Sequence, residues 1–328
     1  MADISTRFFG LDLKSPVIAA SSSMTGHAEQ VIKLAEAGAG AIVLKSIFEE
    51  EIFYVLQEEL SLRTEINSDP EYLDYFDYVI KEENIKKYIQ LISETKAKTT
   101  VPIVASINCV SSGDWMLYAR KIEEAGADAL ELNMYIYPND AYKTSEENEQ
   151  FYFETIHKVL QVVKIPVSIK ISHYFSNLGG IMQKLSLSGI AGITIFNRFY
   201  SPDVDIQTQS VVFSEVLSSP NDYLLPLKWT GILSGMVVCD LAATTGIHNS
   251  ETALKFLLSG ASAVQVASVI YMEGPSAITR MNQEISDWMD QKGFKTLSEF
   301  KGSLSQSSSS ARAWERVHFM KYFGEKTF

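Results

Sequence analysis

The chain has 328 residues, with 28 Lys and Arg against 40 Asp and Glu, a formal charge of −12. Nucleic-acid affinity rests largely on clustered cations, so that balance argues against a phosphate-coating surface; 46% hydrophobic and 21% charged residues suit a globular protein with a full core. No apolar run approaches the ~20 residues that cross a bilayer, and MADISTRFFG carries no signal-peptide apolar stretch, so no membrane contact and a cytoplasmic location are expected.

Taken in chain order, the elements repeat one unit. Residues 16–20 (PVIAA) read as a buried strand; the helix-period stretch VIKLAEA follows, then Gly38, then the apolar run AIVLK ending at Lys45. A Gly here suits a helix C-cap, which needs positive φ, and a short apolar run suits a parallel strand buried on both faces. The order returns three times. Strand 102–107, helix YARKIEEA, Gly126 and strand 129–133 form the second unit; strand 166–171, helix IMQKLSLS, Gly189 and strand 192–197 the third. Strand 240–243, helix ALKFLLS, Gly260 and strand 263–267 complete the fourth. Eight parallel strands with helices between them predict a (β/α)8 TIM barrel, a single domain over 1–328. The GxGxxG of an open dinucleotide-binding sheet is absent.

Two segments exceed the minimal barrel. Residues 46–83 form an acidic, aromatic insertion over the catalytic end, where long loops are usually functional. Residues 297–328 form a tail with a serine run at 307–310 and an aromatic, Arg-containing end, read as a packing or dimer segment. Only Cys109 and Cys239 occur, too few for a disulfide framework or a Cys-based zinc site, and the five histidines show no metal spacing. His173, after the fifth strand, suits either the barrel mouth or a loop cap.

Chemistry in such barrels collects at the C-terminal strand ends. Those ends carry Ser21–Ser23, Lys45 with Ser46, Asn108 with Cys109, Asn133, Lys170, Asn197, Thr245 with Gly246, and Ala267 with Ser268. A Lys closing an apolar run, as in IVLK and VSIK, belongs in a site more often than on a surface. Thr245-Gly246-Ile247 and Ala267-Ser268 follow strands seven and eight, where barrels hold phosphate monoesters.

These segments carry a resemblance. SPVIAASS, LKS, ELNMYIYPN, VSIKIS, TIFN, and TTGI with ALKFLLSGASAVQVAS together resemble the class 1 dihydroorotate dehydrogenases, in order from about residue 5 to 290. The resemblance implies FMN as cofactor, a small-molecule substrate, oxidation of dihydroorotate to orotate in pyrimidine synthesis, and a homodimer. It implies that Ala20 and Ser21 run along the flavin edge, that Lys45 lies beside the reactive face with Ser46, and that Lys170 faces the N1–C2=O locus. Asn108 would hold flavin, while Asn133, Asn139 and Asn197 would grip the substrate. Thr245, Gly246, Ile247, Ala267 and Ser268 would cradle the phosphate. Fumarate, NAD through a partner electron-transfer subunit, and quinone remain open as acceptors.

The chain departs from that pattern where the chemistry is hottest. The family's Asn-x-Ser-Cys-Pro-Asn, whose Cys is the base, reads Asn133-Met134-Tyr135-Ile136-Tyr137-Pro138-Asn139 here. Tyr137 adjoins the proline and is the candidate catalytic replacement, with an aromatic wall as its other reading. Asn67 in the insertion has no matching context. Arg198 stands where Ser is expected, placed to grip a carboxylate or to pair with Asp203 and Asp205. Two other functions stay open: a Schiff-base aldolase or lyase using Lys170, and a barrel that binds flavin or phosphate without turnover.

Overall fold

The computed structural model describes residues 2–48, 70–108, 114–198, 202–213, 215–308 and 314; Cys109, Asn67, most of the 46–83 insertion and most of the C-terminal tail lie outside them. A hairpin, β1 (Thr6–Phe8) and β2 (Leu11–Leu13), precedes the barrel. The barrel strands are β3 (Val17–Ala19), β4 (Ile42–Val43) continued by β5 (Ile47–Phe48), β6 (Ile103–Asn108), β7 (Ala129–Asn133), β8 (Val167–Ile171) and β9 (Gly192–Ile195). A second hairpin, β10 (Pro202–Asp205) with β11 (Ser210–Phe213), intervenes before β12 (Asp240–Thr244) and β13 (Ala263–Val266). Every barrel pairing is parallel, and β4 bonds both β3 and β6, which closes the ring. The fold is the expected (β/α)8 barrel.

The surrounding helices are α1 (Ala28–Glu36), α2 (Pro70–Lys98), α3 (Asp114–Glu124), α4 (Ser145–Leu160), α5 (Leu178–Ser186) and α6 (Leu224–Leu233), then α7 (Ser250–Ser259), α8 (Ser268–Glu273) and α9 (Ser276–Lys292). The four repeat glycines, Gly38, Gly126, Gly189 and Gly260, have φ of 91°, 93°, 96° and 112°, so each unit turns from helix to strand through the left-handed region. None of the helices among the described residues is long and apolar enough to cross a membrane.

Strand alternation splits the core in two. Residues such as Leu44, Ile103, Leu132, Ile169 and Ile193 face outward against the helices. Ile18, Val43, Val104, Ala129, Ala242 and Ala263 face the lumen, where buried Phe8 and Phe9 stop its N-terminal end. Above this apolar floor the inward positions turn polar: Ser106, Glu131, Ser168, Thr194 and Gln265 are all buried. Gln265 Nε2 reaches Glu131 Oε2 at 2.7 Å and Thr194 Oγ1 at 3.2 Å, and Thr194 donates to the same carboxylate oxygen at 3.1 Å.

The insertion begins later than the composition suggests, because Ser46 to Phe48 still belong to the barrel wall. Val43 pairs with Val104 and Ile47 with Ile107, so three residues, 44–46, face two, Ala105 and Ser106. This bulge interrupts the ladder at the position of Lys45 and Ser46. The backbone of Ser106, left facing the gap, is satisfied by Tyr88 of α2, whose hydroxyl accepts from Ser106 N at 2.8 Å and donates to Ser106 O at 3.2 Å. Burial pushes the Tyr88 hydroxyl well above the usual phenol range, so it stays protonated. Tyr88→Phe therefore orphans both backbone groups and is expected to cost about 1–3 kcal/mol, read as a lowered urea midpoint with unchanged slope.

The described part of the tail packs against the barrel. Gly302 and Leu304 donate to the carbonyls of Leu257 and Leu258, Gln306 to that of Gly231, and the Trp314 indole to that of Leu304 at 2.8 Å.

Candidate active site

The C-terminal ends of the barrel strands enclose a cavity of about 600 Å³, within the range of small-molecule sites. Into it converge Ala20 and Ser21 after β3, Lys45 and Ser46 from the bulge, Asn133, Lys170, Asn197, then Thr245, Gly246 and Ile247 after β12, and Ala267 and Ser268 after β13. Asn108 ends β6 opposite Phe48, which lines the cavity while Asn108 does not. Asn139 is exposed and lies outside the lining; the longer segment after β7 carries it away from the mouth.

The polar groups are held by one another. Asn197 Nδ2 donates to Asn133 Oδ1 at 2.6 Å, locking two amides side by side. Ser21 Oγ accepts from Ser46 N at 2.9 Å and lies 3.0 Å from Ser46 Oγ, which is 2.7 Å from Ser106 Oγ. Lys170 is only 9% exposed, and among the described residues no hydrogen bond or ion pair engages its ammonium. A buried cation in that state calls for an anionic or carbonyl-bearing ligand.

At the other end, Thr245 and Gly246 have φ of 79° and 73°. A β-branched residue in the left-handed region is strained; here Thr245 Oγ1 donates to Phe196 O at 3.2 Å. Past this turn, Asn249 caps α7 by accepting from Thr252 N at 2.8 Å. The amides of Gly246 and Ile247 have no acceptor among the described residues. Unpaired backbone donors in a polar turn suit an anion such as a phosphate. Ala267 keeps a negative φ of −132°, so its side chain introduces no left-handed strain.

A strap roofs this end. Arg198 does not take up one of its two expected roles, pairing with Asp203 and Asp205: it donates to Val216 O at 2.6 Å and Glu215 O at 2.9 Å and meets Asp222 Oδ2 at 3.4 Å. Burial opposes ionisation of Asp222, but hydrogen bonds from Ser219 and the charge of Arg198 hold its carboxyl below the usual range. Ser218 then ties the strap down, donating its N–H to Ser268 Oγ at 2.9 Å while its hydroxyl lies 2.9 Å from His248 Nε2. Sequence reasoning missed the strap, Gln265 in the cavity floor and Tyr271 at its rim; these bonds join residues far apart in the chain and leave no local signature.

An adjoining cavity of about 740 Å³ shares Asn197, Arg198 and Thr245 with the first. Aromatic rings line it: Tyr137 meets Tyr174 edge-on at 5.9 Å, His173 lies 4.6 Å from Tyr174, and Phe196 lies 5.7 Å from His173. Tyr137 is 56% exposed and belongs to this wall rather than to the cavity with Lys45. Burial lowers the pKa of His173, so its imidazole is neutral near pH 7.

A family model for dihydroorotate dehydrogenase matches residues 79–289. The NAD(+) dihydroorotate dehydrogenase B catalytic subunit of Thermoplasma volcanium is 26% identical over 314 residues, covering 92% of this chain and 98% of its own. The corresponding subunit of Pyrococcus abyssi is 24% identical over 315 residues, covering 91% and 98%. The dihydroorotate dehydrogenase (fumarate) of Lachancea kluyveri is 23% identical over 333 residues, covering 93% and 99%. With more than half its length matched by that model, the chain belongs to the dihydroorotate dehydrogenase family.

Proposed function

We infer that the chain is an FMN-dependent oxidoreductase that takes a hydride from a CH–CH bond of a small, carboxylate- or amide-bearing ring of the dihydroorotate type. The observation that carries this reading is the convergence on one cavity of a buried ammonium and two backbone amides without partners among the described residues, with a locked pair of side-chain amides. FMN, when bound, supplies the two-electron acceptor; the remaining work belongs to the protein. Gly246 and Ile247, with Ala267 and Ser268, would hold the phosphate. Ala20, Ser21 and Ser46 would border the ring system, and Lys170 would stabilise negative charge building there in a dry site. Lys45, Asn133 and Asn197 would orient the substrate.

Among the described residues no thiol lines the main cavity to take the proton. Among the described residues lining the main cavity there is no Cys, Asp, Glu or His. The neutral imidazole of His173, half-buried one cavity away, is the group suited to accept it. The active form is then the unprotonated one, so kcat/KM falls as pH drops through a value below the ordinary histidine range. His173→Gln is expected to remove that acid limb; a profile unchanged in the variant would exclude the role.

Anaerobic titration of FMN-loaded protein with dihydroorotate tests the whole reading. Bleaching of the oxidised flavin band is the expected result. Tight FMN with no bleaching by dihydroorotate or related dihydropyrimidines would favour a binding role, and borohydride trapping of substrate on Lys170 would favour Schiff-base chemistry. The names of the Thermoplasma and Pyrococcus relatives as catalytic subunits favour a separate electron-transfer partner using NAD; the fumarate enzyme of Lachancea keeps direct reoxidation as the other route.

A further inference from the structure

Beneath the cavity, Glu131 Oε1, Ser168 Oγ and Gln265 Oε1 are buried with no hydrogen-bond partner among the described residues. All three belong to the polar layer of the lumen. Glu131 and Ser168 are cross-strand partners on β7 and β8, and Gln265 spans the lumen from β13 to bond the other carboxylate oxygen. One strand position above Ser168, on the same inward face, stands Lys170, whose own cross-strand partner is Asn133. Glu131 and Lys170, a diagonal step apart on neighbouring strands, thus each carry a charged-type group, Oε1 and the ammonium, with no partner among the described residues. A charge taken out of water calls for a countercharge or a polar bridge to one. A carboxylate oxygen, a hydroxyl and an amide oxygen left without partners supply the two to four polar contacts that hold a buried water.

We propose that Glu131 is the countercharge of Lys170, joined to it through a water held by Ser168 and Gln265, and that this pair sets the reduction potential of the flavin above it. Glu131 is a positioning residue: it touches neither cofactor nor substrate and acts through the ammonium. The potential part rests on the function proposed above; the ion pair itself does not. A carboxylate below Lys170 withholds part of its positive charge from the cofactor, which keeps the reduced, negatively charged flavin less stable than an uncompensated lysine would make it.

The test uses the full-length protein with and without FMN. Glu131→Gln keeps the shape and removes the charge, so the two-electron equilibrium of bound FMN is expected to move at least tenfold toward reduction, about 30 mV more positive. Lys170→Met should move it in the opposite direction, and in the double variant the Glu131→Gln effect should vanish. An unchanged potential in Glu131→Gln together with a lowered melting temperature would reduce Glu131 to packing and overturn the proposal. Should that variant fail to fold, infrared spectra of the wild type and Lys170→Met decide: an ionised glutamate band that shifts when the lysine is lost supports the pair, and a protonated acid band in the wild type refutes it. Because the infrared measurement works on the FMN-free protein, failure to bind FMN would sink the function and leave the ion pair to be judged separately.

Discussion

Lys170→Met should slow flavin reduction by about 10²- to 10³-fold while leaving the fold intact. Lys170 lines the cavity and is almost fully buried, and its ammonium makes no bond among the described residues, so it is placed to serve a ligand. Methionine keeps the length and the packing volume and removes the charge. Stopped-flow absorbance with the bound cofactor separates the effect from simple loss of FMN, which would appear instead as colourless protein. An unchanged rate would mean that charge at this position does not stabilise the reduced state.

Gly246→Ala is expected to weaken FMN binding by about 10- to 100-fold, the equivalent of roughly 1–3 kcal/mol of backbone strain. At φ of 73° an added methyl is strained in any surroundings. Here it would also collide with the backbone nitrogen of Tyr223 and lie 2.8 Å from the carbonyl carbon of Asp222. The turn must open, and it is this turn that presents the Gly246 and Ile247 amides. Quenching of FMN fluorescence on titration with protein measures the loss. Ala267→Gly, where φ is −132°, is the matched control and should bind nearly as the parent does.

The barrel was legible because its grammar is local. A helix period, a glycine and a short apolar run recur within about a dozen residues, and the physics of the C-cap forces the glycine into the left-handed region each time. The mouth was legible for the same reason: a lysine or asparagine closing an apolar run has one place to go in a closed parallel sheet. What stayed hidden depends on partners distant in sequence. Glu131 and Gln265, 134 positions apart, read as ordinary strand residues until the ring closes. For Arg198 the sequence offers a ligand carboxylate or nearby Asp203 and Asp205, whereas the chain loops back to give it two carbonyls and Asp222. Ser46 looked like the first residue of the insertion because a bulge cannot be seen without the strand opposite. Asn139 and Tyr137 followed the motif of the resemblance, but the extra residue in this segment leaves Asn139 in solvent and Tyr137 in the neighbouring wall.

Phe8 and Phe9 close the N-terminal end of the lumen, and among the described residues it opens at the summit cavity. Whatever ligand sits at that opening is therefore also its stopper. If the water proposed beside Glu131 leaves only past that stopper, its isotope exchange with bulk would report the residence time of the cofactor without any turnover at all.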